Sequence, residues 1–548
     1  MTLPSLLDPF FALARTDPDR PAVVDNGVTV GYGQLAGWAG AVADLVATRA
    51  PADRQPPVAV HAHHGVRDIA AVLGILAAGR SFVPVTDGPT GHAAAALRRL
   101  GCRELVATAG TGDLPAVDRV LRPNWRLAQG PLRESGEPVR AADPAYVLFT
   151  SGSTGAPKAA AVPHGALHAV LPHLRREYGV GPGTVALNFH RIDGDTSLEE
   201  ILPVLLAGGL VVIDEDSEAE LDRVLTDHEV TLVNLPVDYW HLWTGHLLDT
   251  GRSLPRSVGT VVVGGEAVRP DMLERWRRLG ADDVVLLNTY GSTETALVTH
   301  SAVLAGPGAP EAFPDGVPIG RPLPSVRQRV AAGARQPDGP EGLDAPPGPG
   351  ELLVSGPQLA LGYVDAPELT AARFGAGPDG GADRWYSTGD LVTEAADGTL
   401  YFHGRIDHQV KIRGHRVDLL DVEGALGQLP GVTAVAAAGH TKGEHTALVA
   451  FVVLAPDGPE AAGAHEATGT PVVAAAQEAA GAPPVTAAHG AAGAHGAAGA
   501  HEAAAALRER LRATVPGPLV PDRIVAVPEL VHTRTGKVDR AATLDRYL

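Results

Sequence analysis

The stretch Tyr146-Val-Leu-Phe-Thr-Ser-Gly-Ser-Thr-Gly-Ala-Pro-Lys158 decides how the rest of the chain is interpreted. An apolar run of strand character leads into a loop of small and hydroxyl residues that ends at one lysine. Glycines let backbone N–H groups approach phosphate oxygens, and the lysine adds positive charge. Because Pro157 precedes Lys158, the loop is not a Walker A motif. We predict a phosphate-binding loop of another kind, with an ordinary surface turn as the alternative. Its hydroxyl and glycine residues are Thr150, Ser151, Gly152, Ser153, Thr154 and Gly155.

The composition is typical of a globular, cytoplasmic protein of several domains. The chain has 548 residues, of which 45% are hydrophobic, and its formal net charge is −19. This charge argues against nucleic acid and against an anionic membrane surface as partners. The single cysteine, Cys102, excludes an intramolecular disulfide and is typical of a reducing compartment. No signal peptide is predicted at the N-terminus.

Lysine is rare in this arginine-rich chain, which makes its positions informative. The four lysines are Lys158, Lys411, Lys442 and Lys537. All except Lys442 lie in glycine-containing motifs: the loop above, Lys411-Ile-Arg-Gly414 and Thr533-Arg-Thr-Gly-Lys537. A compact ammonium and a planar guanidinium serve different chemistry, so we interpret these three lysines as functional.

Apolar β-rich runs alternate with helical patterns over roughly the first 400 residues, which predicts an α/β fold with buried parallel strands. A β-rich unit is expected after a segment rich in Pro and Gly at about 314–350. Residues 455–504 are rich in Ala, Gly, His and Glu. We predict a disordered insertion there rather than a histidine metal site, with ordered sequence resuming at Leu507.

A second cluster, Leu287-Asn-Thr-Tyr-Gly-Ser-Thr-Glu-Thr295, repeats the order of strand, glycine turn and hydroxyl residues. The Tyr290 ring can stack on a base, and Thr293 can donate a hydrogen bond to phosphate. Glu294 offers the hard oxygen ligand that suits Mg²⁺. The alternative is the capped start of a helix.

A third cluster combines Tyr386-Ser-Thr-Gly-Asp-Leu391 with Tyr401-Phe-His-Gly-Arg-Ile-Asp-His-Gln-Val-Lys-Ile-Arg-Gly414. Asp390 has the chemistry to accept hydrogen bonds from ribose hydroxyls, and Arg405 and Lys411 carry charge for phosphate or ribose oxygens. A β-hairpin with ordinary salt bridges is the alternative for any one of these residues.

In this order and at this spacing, the motifs resemble those of the adenylate-forming superfamily, and most of all the adenylation domains of nonribosomal peptide synthetases. The resemblance covers nearly the whole chain except residues 455–504. It implies an α/β fold with a large N-terminal domain (1–406) of stacked α/β subdomains plus a β-rich subdomain. A small, mobile α+β C-terminal domain (407–548) follows, and Asp407 matches the hinge position.

The same resemblance implies ATP and Mg²⁺ as cofactors and a reaction in two steps. A substrate carboxylate attacks the α-phosphorus of ATP and expels pyrophosphate, and a phosphopantetheine thiol then takes the acyl group. Lys537 matches the mobile catalytic lysine and Glu294 the magnesium ligand, and Thr293 and Lys411 complete the implied catalytic group. The implied nucleotide-binding residues are Thr150, Ser151, Gly152, Ser153, Thr154, Gly155, Lys158, Gly265, Glu266, Ala267, Asn288, Thr289, Tyr290, Gly291, Ser292, Asp390 and Arg405.

The resemblance also implies an amino-acid pocket. Asp195 matches the residue that pairs with the substrate ammonium in amino-acid-activating members, and aryl- and fatty-acid-activating relatives usually lack it. Asp238 is an alternative to Asn234 in this set. The implied pocket residues are Asp195, Thr196, Glu199, Asn234, Val262, Gly264, Thr289, Leu297 and Val298, with Lys537 completing the set.

Glu199 is the informative member, because many relatives carry a bulky apolar residue there. A buried anion is costly unless it is paired, so a cationic substrate side chain would balance it. The set resembles those of β-lysine-activating domains, so we expect a diamino acid, with β-lysine favoured and lysine or ornithine next. The alternative is that Glu199 points to solvent or pairs with a local arginine.

The expected partners are the amino acid and a separate carrier protein that bears phosphopantetheine, since no carrier segment follows the Lys537 motif. A small activating partner protein, which some relatives need, is left open. Two other functions also stay open: an acyl- or aryl-CoA ligase that uses free CoA, and a catalytically inert adenylate-binding relative. Asp195 argues against the first, and the presence of Lys537 and Glu294 argues against the second.

Overall fold

The computed structural model describes most of the chain, and the described residues form two compact units. One unit runs to Arg416 and the other from Val417 to Leu548. The predicted hinge, Asp407, lies outside the described residues, so a hinge at that position stays a prediction. The described residues are 1–47, 55–86, 90–109, 117–126, 133–150, 158–313, 315–331, 349–377, 381–406, 409–412, 415–442, 445–454, 494–515, 517–532 and 538–548.

The elements confirm the predicted α/β class. In chain order the strands are β1 (Thr2–Leu3), β2 (Pro21–Asp25), β3 (Val28–Gly31), β4 (Val58–His61), β5 (Phe82–Val85), β6 (Glu104–Val106), β7 (Arg119–Leu121), β8 (Val139–Arg140), β9 (Pro144–Thr150), β10 (Lys158–Pro163), β11 (Val185–Leu187), β12 (Leu210–Ile213), β13 (Leu232–Pro236), β14 (Thr260–Gly264), β15 (Val285–Tyr290), β16 (His300–Ala305), β17 (Arg321–Pro322), β18 (Arg327–Ala331), β19 (Gly350–Ser355), β20 (Gly362–Tyr363), β21 (Phe374–Ala376), β22 (Arg384–Glu394), β23 (Leu400–Arg405), β24 (Gln409–Ile412), β25 (His415–Asp418), β26 (Val432–Lys442), β27 (His445–Leu454) and β28 (Arg523–Ala526). The α-helices are α1 (Asp8–Thr16), α2 (Tyr32–Val46), α3 (Val66–Ala77), α4 (Thr90–Arg99), α5 (His164–Glu177), α6 (Thr196–Leu206), α7 (Leu221–Asp227), α8 (Val237–Thr250), α9 (Pro270–Arg277), α10 (Pro367–Arg373), α11 (Leu419–Gly427), α12 (Ala494–Arg512) and α13 (Arg540–Tyr547).

The first unit contains a nine-stranded sheet, in the order β17-β16-β15-β14-β13-β11-β12-β2-β3. Its strands from β15 to β2 are parallel neighbours. The run Val261, Val262 and Val263 in β14 is fully buried, as expected for a parallel strand covered on both faces. The carboxyl ends of β11, β13, β14 and β15 therefore lie along one edge of this sheet.

The first unit also contains a seven-stranded sheet, in the order β20-β10-β9-β5-β4-β6-β7. Strand β9, which leads into the predicted phosphate loop, lies between β5 and β10. One apolar cluster contains buried side chains from both sheets, such as Val60 and Val211, and from helices, such as Leu73 in α3 and Leu202 in α6. Burial of this shared apolar surface joins the two sheets into one body.

A third sheet supplies the β-rich part of the first unit, in the order β18-β19-β22-β21, with β23 paired to β22. This agrees with the β-rich unit expected after the Pro- and Gly-rich segment. The pairing of β22 with β23 places Asp390 opposite Arg405.

The second unit contains the sheet β26-β27-β28 with α11, α12 and α13. Two nitrogens of Arg540 donate to the two carboxylate oxygens of Glu423, each at 2.7 Å. Glu423 also accepts a hydrogen bond from the backbone N–H of Ala437. This bidentate pair ties α13 to α11 and to β26.

The predicted disordered insertion is wrong at its end, because α12 begins at Ala494, whereas ordered sequence was expected only from Leu507. Residues 455–493 lie outside the described residues. Ala504, Leu507 and Leu511 are buried at helical spacing and anchor the helix. Alanine has the highest helix propensity, so the Ala-rich sequence before this anchor extends the helix. No helix in the described part of the chain has the length and apolarity needed to cross a membrane.

Candidate active site

The predicted amino-acid pocket residues gather at the carboxyl edge of the nine-stranded sheet. Asn234 in β13 pairs with Val262 in β14, and Gly264 at the end of β14 pairs with Thr289 in β15. The loop after β11 leads into α6, which starts beside Asp195. Ligands of open parallel sheets bind at such an edge.

Two glycines allow the close backbone approach that this edge requires. A Cβ on Gly264 would lie 2.6 Å from Oγ1 of Thr289, and a Cβ on Gly291 would lie 1.8 Å from the carbonyl oxygen of Leu297. Leu297 itself has a φ of 66°, in the left-handed region. The chain therefore doubles back after β15, and this turn buries Leu297 and Val298.

Glu199 lies in the first turn of α6 and is only 6% exposed. The Tyr178 hydroxyl donates to its Oε2 at 2.6 Å, and the Asn234 side-chain amide donates to the same oxygen at 3.3 Å. Glu199 therefore neither points to solvent nor, within the described residues, pairs with an arginine. Asn234, rather than Asp238, is the residue that meets it.

The environment of Glu199 favours its protonated form. Burial raises the pKa of Glu199 to about 8, and the charges of Asp195 and Glu200 act in the same direction. The hydrogen bonds from Tyr178 and Asn234 lower this pKa but do not offset the burial. A carboxyl with this pKa is largely neutral at pH 7, so the protein without substrate avoids the cost of a buried anion by keeping the proton.

This pKa predicts a pH-dependent stability of the ligand-free protein that Glu199→Gln should remove. The pKa rises from an ordinary 4.5 to about 8 on folding, so the unfolded chain loses the proton first as pH increases. The stabilising contribution of the protonated carboxyl is complete below pH 4.5 and is lost as pH rises to about 8. The free energy of unfolding of the wild type, minus that of the variant, should fall across this window. Urea unfolding over this range measures the difference, and a constant difference would contradict the raised pKa.

The neighbouring carboxylate, Glu200, faces different partners and orders the loop before α6. Its Oε2 accepts hydrogen bonds from the Asn188 side-chain amide at 2.6 Å and from the His190 backbone N–H at 3.1 Å. Its Oε1 lies 2.7 Å from Nδ1 of His190. Because this loop carries Asp195, which is half-buried together with Thr196, Glu200 positions the start of the predicted pocket.

Glu294 lies in a short 3₁₀ turn, Thr293–Thr295, and is 2% exposed. The Tyr363 hydroxyl donates to its Oε1 at 2.8 Å. The capping box of this turn uses Ser292 and Thr295, so the capping alternative does not need the Glu294 carboxylate.

A single carboxylate of this kind fits a magnesium ion. Among the described residues, no group of three or more His, Cys, Asp or Glu side chains could hold a metal. Mg²⁺ commonly takes one or two carboxylates and completes its shell with substrate phosphates and water. Glu294 is consistent with that arrangement, and its role as a ligand stays a prediction.

Tyr290, Asp390 and Arg405 meet in the first unit although they are far apart in sequence. The Tyr290 hydroxyl and Arg405 both donate to the Asp390 carboxylate, and Arg405 also donates to the carbonyl of Thr388 at 3.0 Å. Burial raises the pKa of Tyr290 far above its usual range, and the Asp390 charge adds to this effect. A carboxylate has about four acceptor positions, so these bonds are compatible with the predicted ribose contact.

Some of the other predicted nucleotide-binding and catalytic residues are described by the structure, and others are not. Lys158 begins β10 opposite Thr150 and is 7% exposed. The Asn288 amide donates to the carbonyl of Pro318 at 2.8 Å, which gives it a structural use. Gly265, Glu266 and Ala267 follow β14 at the surface or half-buried, and only the backbone of Lys411 is placed, in β24. Ser151, Gly152, Ser153, Thr154, Gly155 and Lys537 lie outside the described residues, so their roles stay predictions.

A family model described as "AMP-binding enzyme" matches residues 10–364. The relatives include "Phenyloxazoline synthase MbtB" of Mycobacterium sp. (strain MCS), 37% identical over 465 residues, which cover 81% of this chain and 37% of that protein. "Novobiocin biosynthesis protein H" of Streptomyces niveus is 33% identical over 473 residues, covering 82% of this chain and 74% of that protein. A solved structure of holo-PA1221, described as "an NRPS protein containing adenylation and PCP domains", has a TM-score of 0.75 and 23% identity over 99% of this chain and 84% of that one.

The chain therefore belongs to the AMP-binding enzyme family, as its motifs predict. Its fold is that of adenylation domains with a large N-terminal and a small C-terminal domain. The chain spans 37% of the length of the MbtB relative.

Sequence reasoning misses two tyrosines at the pocket, Tyr178 and Tyr146. Tyr178 follows the last residue of α5 and belongs to no motif. Tyr146 begins the quoted stretch, but its sequence context marks it only as a strand residue. Burial raises the pKa of Tyr146, and the charges of Asp195 and Glu199 add to that rise.

Proposed function

We propose that this protein activates a diamino acid as its aminoacyl adenylate, with β-lysine favoured and lysine or ornithine next. The acyl group then passes to the phosphopantetheine thiol of a carrier protein. The observation that carries this proposal is the pair of carboxylates Asp195 and Glu199 at the start of α6. Residues one turn apart lie on the same side of a helix, with Cβ atoms about 6 Å apart. A substrate with two ammonium groups would match both carboxylates.

The neutral state of Glu199 in the ligand-free protein is compatible with a cationic substrate. An ammonium group in contact with the carboxyl favours its charged form and lowers the pKa, so binding would release a proton. The resulting ion pair would be buried and hydrogen-bonded by Tyr178 and Asn234. Such pairing is the condition under which a buried charge is tolerated.

In the first half-reaction, Asp195 would hold the ammonium group nearest the reacting carboxylate. The substrate carboxylate then attacks the α-phosphorus of ATP, the bond to the bridging oxygen of pyrophosphate breaks, and the acyl adenylate forms. Lys158 and its loop would bind phosphate oxygens, and Lys537 would stabilise the charge that develops in the transition state. Magnesium, held by Glu294, would neutralise phosphate charge when bound.

In the second half-reaction, the carrier thiol attacks the acyl carbonyl carbon, and AMP leaves with the electrons of the acyl–oxygen bond. The family resemblance implies that Lys537 moves away from the nucleotide between the two steps. A hinge at Asp407 would then let one nucleotide cleft serve both reactions.

The test is ATP–pyrophosphate exchange with β-lysine, lysine, ornithine and diaminopropionate. Norleucine is the neutral control, because it has the length of lysine without the distal ammonium. We expect the fastest exchange with β-lysine and exchange with norleucine at least about tenfold slower than with lysine. Exchange that favours neutral amino acids would contradict the diamino acid assignment, and exchange with no amino acid would favour the inert relative.

The acceptor is tested separately, because it distinguishes carrier loading from CoA ligation. The radiolabelled activated acid is offered to a phosphopantetheine-bearing carrier protein and to free CoA. We expect a covalent thioester on the carrier and little acyl-CoA. Efficient acyl-CoA formation with no loading of the carrier would support the acyl- or aryl-CoA ligase alternative.

A further inference from the structure

The hydroxyl of Tyr178 meets the carboxyl of Glu199 in the interior of the first unit. We propose that Tyr178 is a specificity-determining positioning residue, which holds Glu199 in the orientation that receives the distal ammonium of a diamino acid. This inference rests on the proposed function and adds a residue outside the nine pocket positions that the family resemblance implies.

The contact is made between two packed helices. Tyr178 is the C-cap residue of α5, is 4% exposed, and extends toward Glu199 in the first turn of α6. Its hydroxyl donates to Oε2 of Glu199 at 2.6 Å, and the Asn234 amide donates to the same atom at 3.3 Å. Two neutral donors from different elements thus fix one oxygen of the carboxyl.

The second oxygen of the Glu199 carboxyl, Oε1, differs from Oε2 in its hydrogen bonds. Among the described residues, no hydrogen bond to Oε1 is seen, whereas Oε2 accepts two. The proton of the neutral acid therefore resides on Oε1, since Oε2 already accepts from Tyr178 and Asn234. This is also the oxygen to which an incoming ammonium would bind as the proton leaves for solvent.

The charged and titratable groups around Glu199 are consistent with this role. Asp195 and Glu200 at the start of α6 are acidic. Tyr178 donates to Glu199 from α5, and the charge of Glu199 acts on Tyr146 in β9. Glu200 is engaged by the loop after β11. The Tyr146 hydroxyl is fully buried and has no hydrogen-bond partner among the described residues. The surroundings are therefore rich in acceptors for a cation.

A tyrosine suits this position better than an arginine would. An arginine would fix the carboxyl and also neutralise it, which would remove the attraction for a substrate cation. The tyrosine hydroxyl fixes the same oxygen without adding a charge. A hydrogen bond to the carboxylate also stabilises its charged form, so Tyr178 eases the loss of the proton when the ammonium binds.

The test is Tyr178→Phe, with Tyr32→Phe as the matched control. The Tyr32 hydroxyl is also buried and donates to the carbonyls of Leu205 and Gly209 near the far end of α6. We expect Tyr178→Phe to lower kcat/KM for the favoured diamino acid by about 10- to 100-fold. The loss should appear mainly in KM, and kcat/KM for norleucine should be nearly unchanged in Tyr178→Phe. Tyr32→Phe should leave the ratio of kcat/KM for lysine to that for norleucine nearly unchanged.

The pH profile separates positioning from general damage. Discrimination between lysine and norleucine should rise with pH as Glu199 ionises, with a midpoint near the pKa of about 8 in the wild type. Loss of the tyrosine donor raises this midpoint in Tyr178→Phe and leaves it in place in Tyr32→Phe. Equal losses for charged and neutral substrates, or full retention of discrimination, would overturn the role of Tyr178. A wild type that activates no diamino acid would instead overturn the proposed function.

Discussion

Replacing Lys537 with alanine should lower the rate of adenylate formation by about 10²- to 10³-fold while ATP still binds. The reacting carboxylate and the triphosphate are both anions, and the pentacoordinate α-phosphorus gathers further charge between them. A compact ammonium aimed at that charge stabilises the transition state more than the ground state, so its loss affects kcat more than substrate binding. Pyrophosphate exchange measures the rate, and equilibrium binding of an ATP analogue measures the affinity.

Lys442→Ala is the control, because Lys442 is the one lysine outside the glycine-containing motifs. It should exchange pyrophosphate at the wild-type rate. Lys537→Arg tests whether charge alone suffices, and we expect it to recover only part of the rate, since a guanidinium is larger and planar. Exchange at the wild-type rate in Lys537→Ala would exclude this lysine from catalysis.

The second large effect should follow from Glu199→Gln, which keeps the shape of the side chain and removes its charge. Kcat/KM for the favoured diamino acid should fall by about 10²-fold or more, because the distal ammonium would be buried beside a neutral amide. Norleucine should be activated as well as before, or better. The ratio of kcat/KM for lysine to that for norleucine, measured by exchange, reports the change directly.

Glu200→Gln is the informative comparison for this variant. Glu200 is equally buried and adjacent, yet its oxygens hold Asn188 and His190 rather than facing Tyr178 and Asn234. We therefore expect similar losses for charged and neutral substrates from Glu200→Gln. If Glu199→Gln also lowered both substrates equally, Glu199 would have a structural role and the diamino acid assignment would be wrong.

Local chemistry explains why the motifs could be read from the sequence. Glycine and hydroxyl residues that follow a buried strand suit the binding of phosphate. Segment 146–158, which ends at Lys158, and segment 287–295, which carries Glu294, therefore each predict a nucleotide-binding role. Alternation of apolar runs with helical patterns likewise predicts the parallel sheets. Composition was a poorer guide at α12, where Ala-rich sequence predicted disorder but continues a helix anchored by Leu507 and Leu511.

The sequence by itself determined the family and the α/β class, and it predicted the two carboxylates of the candidate pocket, since each depends on local patterns of residues in the chain. Only the tertiary structure decided which hydrogen bonds the Glu199 carboxyl accepts, because Tyr178 and Asn234 reach it from other elements. The same holds for Asp390 and Arg405, which the third sheet pairs, and for Tyr290, which reaches Asp390 from the nine-stranded sheet. Hydrogen bonds and burial depend on distances in space, and these are settled only when the strands and helices pack.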